Sequence, residues 1–148
     1  MDCLKIKRVF RVVGIKGGGA FAEYGVEVPK LAQQLMARKD EIKNHSEIEI
    51  ALFEPKRDNG HLEGHFYVGL IVDDNLAEVP SGMEYIEVAQ DYASTRGGIN
   101  NLPKLHRQLL KWVEEQGYLR NLESYIIETY HPKENGEEEV EIFLPIQS

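Results

Sequence analysis

Apolar positions recur along this chain with two different periods. In "FYVGLIV", Phe66, Val68, Leu70 and Val72 fall on every second residue. In "VEIFLPI", Val140, Ile142, Leu144 and Ile146 do the same. "EIEIALFE" sets Ile48, Ile50 and Leu52 against Glu47 and Glu49, and "YIIETY" (Tyr125 to Tyr130) is rich in β-branched and aromatic residues. Each of these stretches predicts a strand with a buried face. Two other segments follow the helical period. "VPKLAQQLMARKDEI" (Val28 to Ile42) aligns Leu31, Leu35 and Arg38; "LPKLHRQLLKWVEEQ" (Leu102 to Gln116) aligns Leu105, Leu109, Trp112 and Val113. Pro29 and Pro103 suit a first helical turn, where a missing N–H costs nothing, and the glycine of "QGY" suits a helix end.

The two helical segments match residue for residue at Pro29/Pro103, Lys30/Lys104, Leu31/Leu105, Gln34/Gln108 and Leu35/Leu109. The offset (103 − 29 = 74) is half of the 148 residues, and it also carries Phe66, Val68, Leu70 and Val72 onto Val140, Ile142, Leu144 and Ile146. Two copies of one unit are therefore expected, at approximately 7–74 and 81–148, within a single domain spanning 1–148. Each unit opens with a strand, "VFRVVGI" or "MEYIEVA". A glycine-containing loop (Gly17 to Gly19, or Gly97 and Gly98), the helix and a hairpin with an Asn-Gly turn follow. One helix and three strands cannot bury their own apolar face, so the halves should share a core. The expected fold is α+β: a duplicated β-α-β-β unit with pseudo-two-fold symmetry, its antiparallel sheet carrying two helices on one face.

One residue does not fit a plain strand. Glu128 stands in "YIIETY" among apolar and aromatic neighbours, and the offset pairs it with Glu54 at the end of "EIEIALFE". If Ile50 and Leu52 face the helices, the repeat turns Glu128 to the same side. A carboxylate there is costly unless it is paired, protonated or at the edge of a cavity that a ligand fills.

Composition narrows the partners. Seventeen basic against 25 acidic residues give a net charge of −8, which disfavours direct binding to nucleic acid or to an anionic membrane and is compatible with a cationic ligand. No apolar run approaches the roughly 18 residues of a membrane span. The start "MDCLKIKRVF" does not read as a signal peptide, and Cys3 is the one cysteine. A cytoplasmic location is expected. His61 and His65 in "HLEGH" have helical metal-ligand spacing but lie in a hairpin, and "KGGG" lacks the end of a phosphate loop. Neither metal nor cofactor is expected.

The segments "GHFYVGLIV", "VPSGMEYIEVAQDYA", "LLKWVEEQGY", "YIIETYHP" and "EVEIFLPI", in this order, resemble the GyrI-like effector-binding domains. These domains also occur as ligand-sensing modules of AraC-type and MerR-type regulators. The resemblance implies the duplicated fold and a groove between the helices that takes varied small molecules, often aromatic and cationic. It also implies that a glutamate on the penultimate strand meets the ligand's charge; the matching residue is Glu128. Aromatic candidates for the groove are Trp112, Tyr130, Tyr67 and Tyr92, with Glu54 as a second acidic candidate. The expected ligand is a small hydrophobic or cationic molecule. With its first strand starting near Lys7, the chain leaves no room for a helix-turn-helix, so it resembles the stand-alone members. Of those, one inhibits DNA gyrase and others hydrolyse cyclopropane-bearing toxins. A protein partner (gyrase or a regulator) and a hydrolase with Glu128 and Tyr130 as catalytic groups are the corresponding alternatives.

Overall fold

The computed structural model describes residues 3–43, 45–73, 79–133 and 135–147; the expected repeat ends, 74 and 148, lie outside them. The elements run β1 (Leu4–Ala20), α1 (Tyr24–Met36), β2 (His45–Phe53), β3 (Glu63–Val72), β4 (Glu84–Gly98), α2 (Leu102–Gln116), β5 (Ile126–Pro132) and β6 (Glu138–Ile146). This is β-α-β-β twice in an α+β fold. Every pairing is antiparallel, and the strands close a barrel in the order β1-β3-β2-β5-β6-β4.

Closure depends on the length of β1 and β4. The first part of β1 pairs with β4 (Leu4 to Gly14), and its second part pairs with β3 (Val12 to Ala20). The glycines expected to form loops lie inside these strands instead. At two of them a helix presses on the strand: a Cβ at Gly17 would come within 2.8 Å of Leu31, and one at Gly97 within 2.8 Å of Leu105. Leu31 and Leu105 are also a matched pair of the sequence repeat, so this packing is compatible with a duplication. At the bend of β1, Gly14 and Gly69 face each other so closely that a Cβ on either would strike the partner strand's backbone.

The barrel has two apolar layers. Inside it pack Phe10, Val12, Ile50, Leu52, Ile127 and Phe143, with Phe10 edge-on to Phe143 at 4.9 Å. Fully burying a side chain of this size contributes roughly 1.5–3 kcal/mol. Outside it, α1 lays Leu35 over Val13, Phe66 and Val68, and α2 lays Leu105, Leu109 and Val113 over Ala93, Val140 and Ile142.

This layering changes one expectation. Ile50 and Leu52 face the barrel interior, so the helix side of β2 is its other face, that of Glu49, Ala51 and Phe53. Register decides the neighbours of Glu128: it pairs with Ala51, while Leu52 pairs with Ile127. Directly paired residues share a face. Glu128 thus faces the helices through Ala51 and not as the counterpart of Glu54. Pro29 also moves. Helix α1 begins at Tyr24, which puts Pro29 in its second turn, whereas Pro103 does sit in the first turn of α2. Among the described residues, no helix is long and apolar enough to cross a membrane.

Candidate functional site

Between the helices lies a cleft of about 770 Å³. Tyr24, Val28, Ala32 and Met36 of α1 form one wall, and Leu102 and His106 of α2 the other. Strands β2 and β5 form the floor with Ala51, Phe53, Ile126, Glu128 and Tyr130. The surface is mostly apolar with a few polar groups, the usual composition of small-molecule sites. Its ionisable lining consists of Glu49, Glu128, Glu138, His106 and two tyrosines; among the described residues, neither Lys nor Arg contributes to it.

Glu128 is 6% exposed. One carboxylate oxygen accepts the Tyr130 hydroxyl at 2.6 Å, and the other accepts His106 Nε2–H at 2.7 Å. Burial pushes the Tyr130 phenol well up, and the Glu128 charge and hydrogen bond push it further, so this hydroxyl remains a donor. Toward one end of the cleft, burial and the nearby Glu138 raise Glu49, while Lys39 offsets part of that. His106 lies one turn beyond Leu102 at the edge of the apolar stripe of α2, and sequence reasoning passed it over. The readable signal was that i, i+4 spacing, which sets an imidazole on the helix's inward flank.

Glu128 and Tyr130 line the cleft. The other four expected residues lie elsewhere. Tyr92 is inside the barrel, between Phe10 and Phe143. Tyr67 is on the same inner face and nearly buried, its ring 6.0 Å from that of Tyr125 and its hydroxyl 3.4 Å from Glu84. Trp112 is half-buried against Tyr118, at 5.6 Å, on a flank of α2 outside the cleft. Each follows from strand parity or helical phase.

Glu54 belongs to a separate cluster at the end of β2. Its carboxylate accepts Arg57 Nη1–H at 2.6 Å and the His65 backbone N–H at 2.9 Å, and His65 Nδ1 is at 3.0 Å. His61 Nε2 stands 3.3 Å away, so both histidines of "HLEGH" turn onto this carboxylate. On its far side, His65 Nε2 meets the Tyr125 hydroxyl at 2.6 Å. The Arg57 hydrogen bond, helped by the His65 amide, holds the Glu54 carboxyl down at about 2.

A family model described as the GyrI-like small molecule binding domain matches residues 7–147. Solved structures share the fold. SAV2435 bound to tetraphenylphosphonium aligns at TM-score 0.73 and 13% identity, over 100% of this chain and 95% of that one. EcmrR in its complex with DNA aligns at TM-score 0.70 and 14% identity over 99% of this chain, which spans 57% of the EcmrR chain. A hydrolase from Listeria innocua aligns at TM-score 0.61 and 11% identity, over 98% and 91% of the two chains. No curated protein matches the sequence.

Proposed function

The chain belongs to the GyrI-like small molecule binding domain family, and from that premise we propose that its inter-helix cleft takes aromatic organic cations, with Glu128 as the counter-charge. One observation carries this reading: a buried carboxylate lies on the floor of a largely apolar cleft to which, among the described residues, neither Lys nor Arg contributes. A lipophilic cation supplies both the apolar surface that such walls take up and the charge that Glu128 lacks. The Tyr130 and Tyr24 rings add aromatic faces, and a cation over such a face gains about 0.5–2 kcal/mol. Shape and one charge sort ligands coarsely, so selectivity should be broad. The tetraphenylphosphonium carried by SAV2435 belongs to the same chemical class. The unpaired Cys3 suits a reducing cytoplasm.

The test is calorimetric titration of tetraphenylphosphonium and of neutral triphenylphosphine oxide into the wild type and Glu128→Gln. The variant should lose tenfold or more in cation affinity, on the order of 1.4 kcal/mol or above, and keep its affinity for the neutral compound. Equal loss for both, or none, overturns the role of Glu128.

A hydrolytic reading has an observation of its own: Glu128 and a phenol stand side by side, 2.6 Å apart, on the cleft floor. Glu128 would serve as general base to a water and Tyr130 as hydrogen-bond donor to the substrate. Incubation with a cyclopropane-bearing alkylator and mass spectrometry separates the readings, since turnover requires a water adduct and binding alone leaves the compound intact.

A further inference from the structure

We propose that His106 is an internal competitor for the ligand's positive charge, so that the cleft exchanges a proton for each organic cation it binds. The inference rests on the functional reading above and specifies how that site is regulated.

His106 donates Nε2–H to Glu128 at 2.7 Å. That bond exists in both protonation states of the ring, because the second proton goes to Nδ1. Among the described residues Nδ1 has no protein partner, and the side chain is about a third exposed, so solvent can deliver or remove that proton. Histidine changes charge between about pH 5 and 8. With the ring neutral, Glu128 keeps an uncompensated negative charge. With the ring protonated, Glu128 is half of an ion pair, and an arriving cation finds both a neutralised carboxylate and a like charge beside it. A permanent cation and the Nδ1 proton therefore exclude each other, and binding on the acid side expels the proton to water.

The other ionisable groups facing this pair are Tyr130 of β5, Glu49 of β2, Glu138 of β6 and Tyr24 of α1, with Lys39 acting on Glu49. Both tyrosines are raised and stay neutral across the range. Glu49 is the one group here whose raised value acts with the same sign, since its ionisation with rising pH also favours a cation. The experiment must separate it from His106.

Tetraphenylphosphonium and triphenylphosphine oxide are titrated from pH 5.5 to 7.5 into the wild type, His106→Gln and Glu49→Gln. In the wild type, cation affinity should rise about tenfold over that range, and affinity for the neutral compound should stay flat. His106→Gln, which can still donate a hydrogen bond, should lose most of the rise for the cation, keeping only the smaller part due to Glu49, and bind it more tightly than the wild type at pH 5.5. Glu49→Gln should keep most of the rise. A measurement without variants supports these: at pH 5.5, calorimetry in buffers of different ionisation enthalpy should show up to about one proton released per cation, and fewer as the pH rises. A flat wild-type profile, a rise that survives undiminished in His106→Gln, or one abolished by Glu49→Gln overturns the inference while the cation reading stands. Absence of cation binding at every pH overturns that reading, and this inference with it.

Discussion

Glu54 and Glu128 use similar parts to opposite ends. Each has a histidine against its carboxylate, and each has a tyrosine hydroxyl one or two hydrogen bonds away. Glu54 also has a fixed cation, Arg57, and a backbone N–H. Its charge is satisfied within the fold, its carboxyl is held down at about 2, and it is not part of the inter-helix cleft lining. Glu128 has a phenol and an imidazole but, among the described residues, no fixed cation, and it opens onto 770 Å³ of mostly apolar space. What separates the two carboxylates is whether the counter-charge is built into the fold; in the proposed function, that of Glu128 is left to a ligand.

The largest contrast should appear on truncation. Glu54→Ala strands Arg57, the His65 amide and the Glu54 end of the His65–Tyr125 chain. Hydrogen bonds to charged groups contribute about 1.5–3 kcal/mol each, so a loss of roughly 2–3 kcal/mol is expected after partial rehydration. Glu128→Ala frees a hydroxyl and an imidazole that water in an open cleft can satisfy, and should cost under about 1 kcal/mol. Urea unfolding of both variants, with cation titration alongside, gives a crossed pattern: Glu54→Ala lowers the midpoint and spares binding, Glu128→Ala the reverse. A larger stability loss from Glu128→Ala would break the distinction.

Acid sharpens it. Glu54 is held at about 2 against an ordinary 4.5, so the folded state favours its charged form. The stability this contributes is complete above the unfolded value and is lost as pH falls from about 4.5 to 2. The expected contribution is about 2 kcal/mol once partial exposure is allowed for. In Glu54→Gln that part of the acid unfolding curve should flatten; an unchanged slope would mean that Arg57 does not hold the carboxylate in solution.

How far this contrast was legible in the sequence depends on which relation carried it. Helix phase and strand alternation are local, and the repeat of Leu31 on Leu105 followed from them. The face of β2 did not. Alternation says that Ile50 and Leu52 share a side, but closing the sheet creates two apolar sides, and only closure shows that theirs is the inner one. The offset of 74 holds for the helices and for β3 and β6. It slips between β2 and β5, where Ala51 occupies the position next to Glu128 and the residue found by subtraction, Glu54, lies beyond the end of β2. Glu128 faces the helices all the same, because its register partner Ala51 does. His106 escaped because a single polar residue on the flank of an apolar stripe looks the same whether it meets solvent or a carboxylate across a cleft. Tyr67 and Tyr92 fail as groove candidates because a closed barrel gives an inward aromatic a core to fill.

The smallest effects belong to the two phenols, and they test the contrast most finely. Tyr125→Phe removes the hydrogen bond to His65 Nε2 at the far end of the Glu54 cluster. It should cost about 1 kcal/mol of stability and leave cation affinity untouched, because Arg57 still satisfies the carboxylate. Tyr130→Phe keeps the ring over the cleft and removes the donor to Glu128. The fold should lose about 0.5 kcal/mol or less, since water can replace the hydroxyl. Affinity for a permanent cation should rise by roughly two- to fivefold, because a carboxylate with one fewer donor gains more from an arriving positive charge. Titration with tetraphenylphosphonium at pH 7.5 measures this, with the neutral phosphine oxide as control. Weaker cation binding in Tyr130→Phe would show that the hydroxyl positions the ligand, and Glu128 would then act together with a second polar anchor.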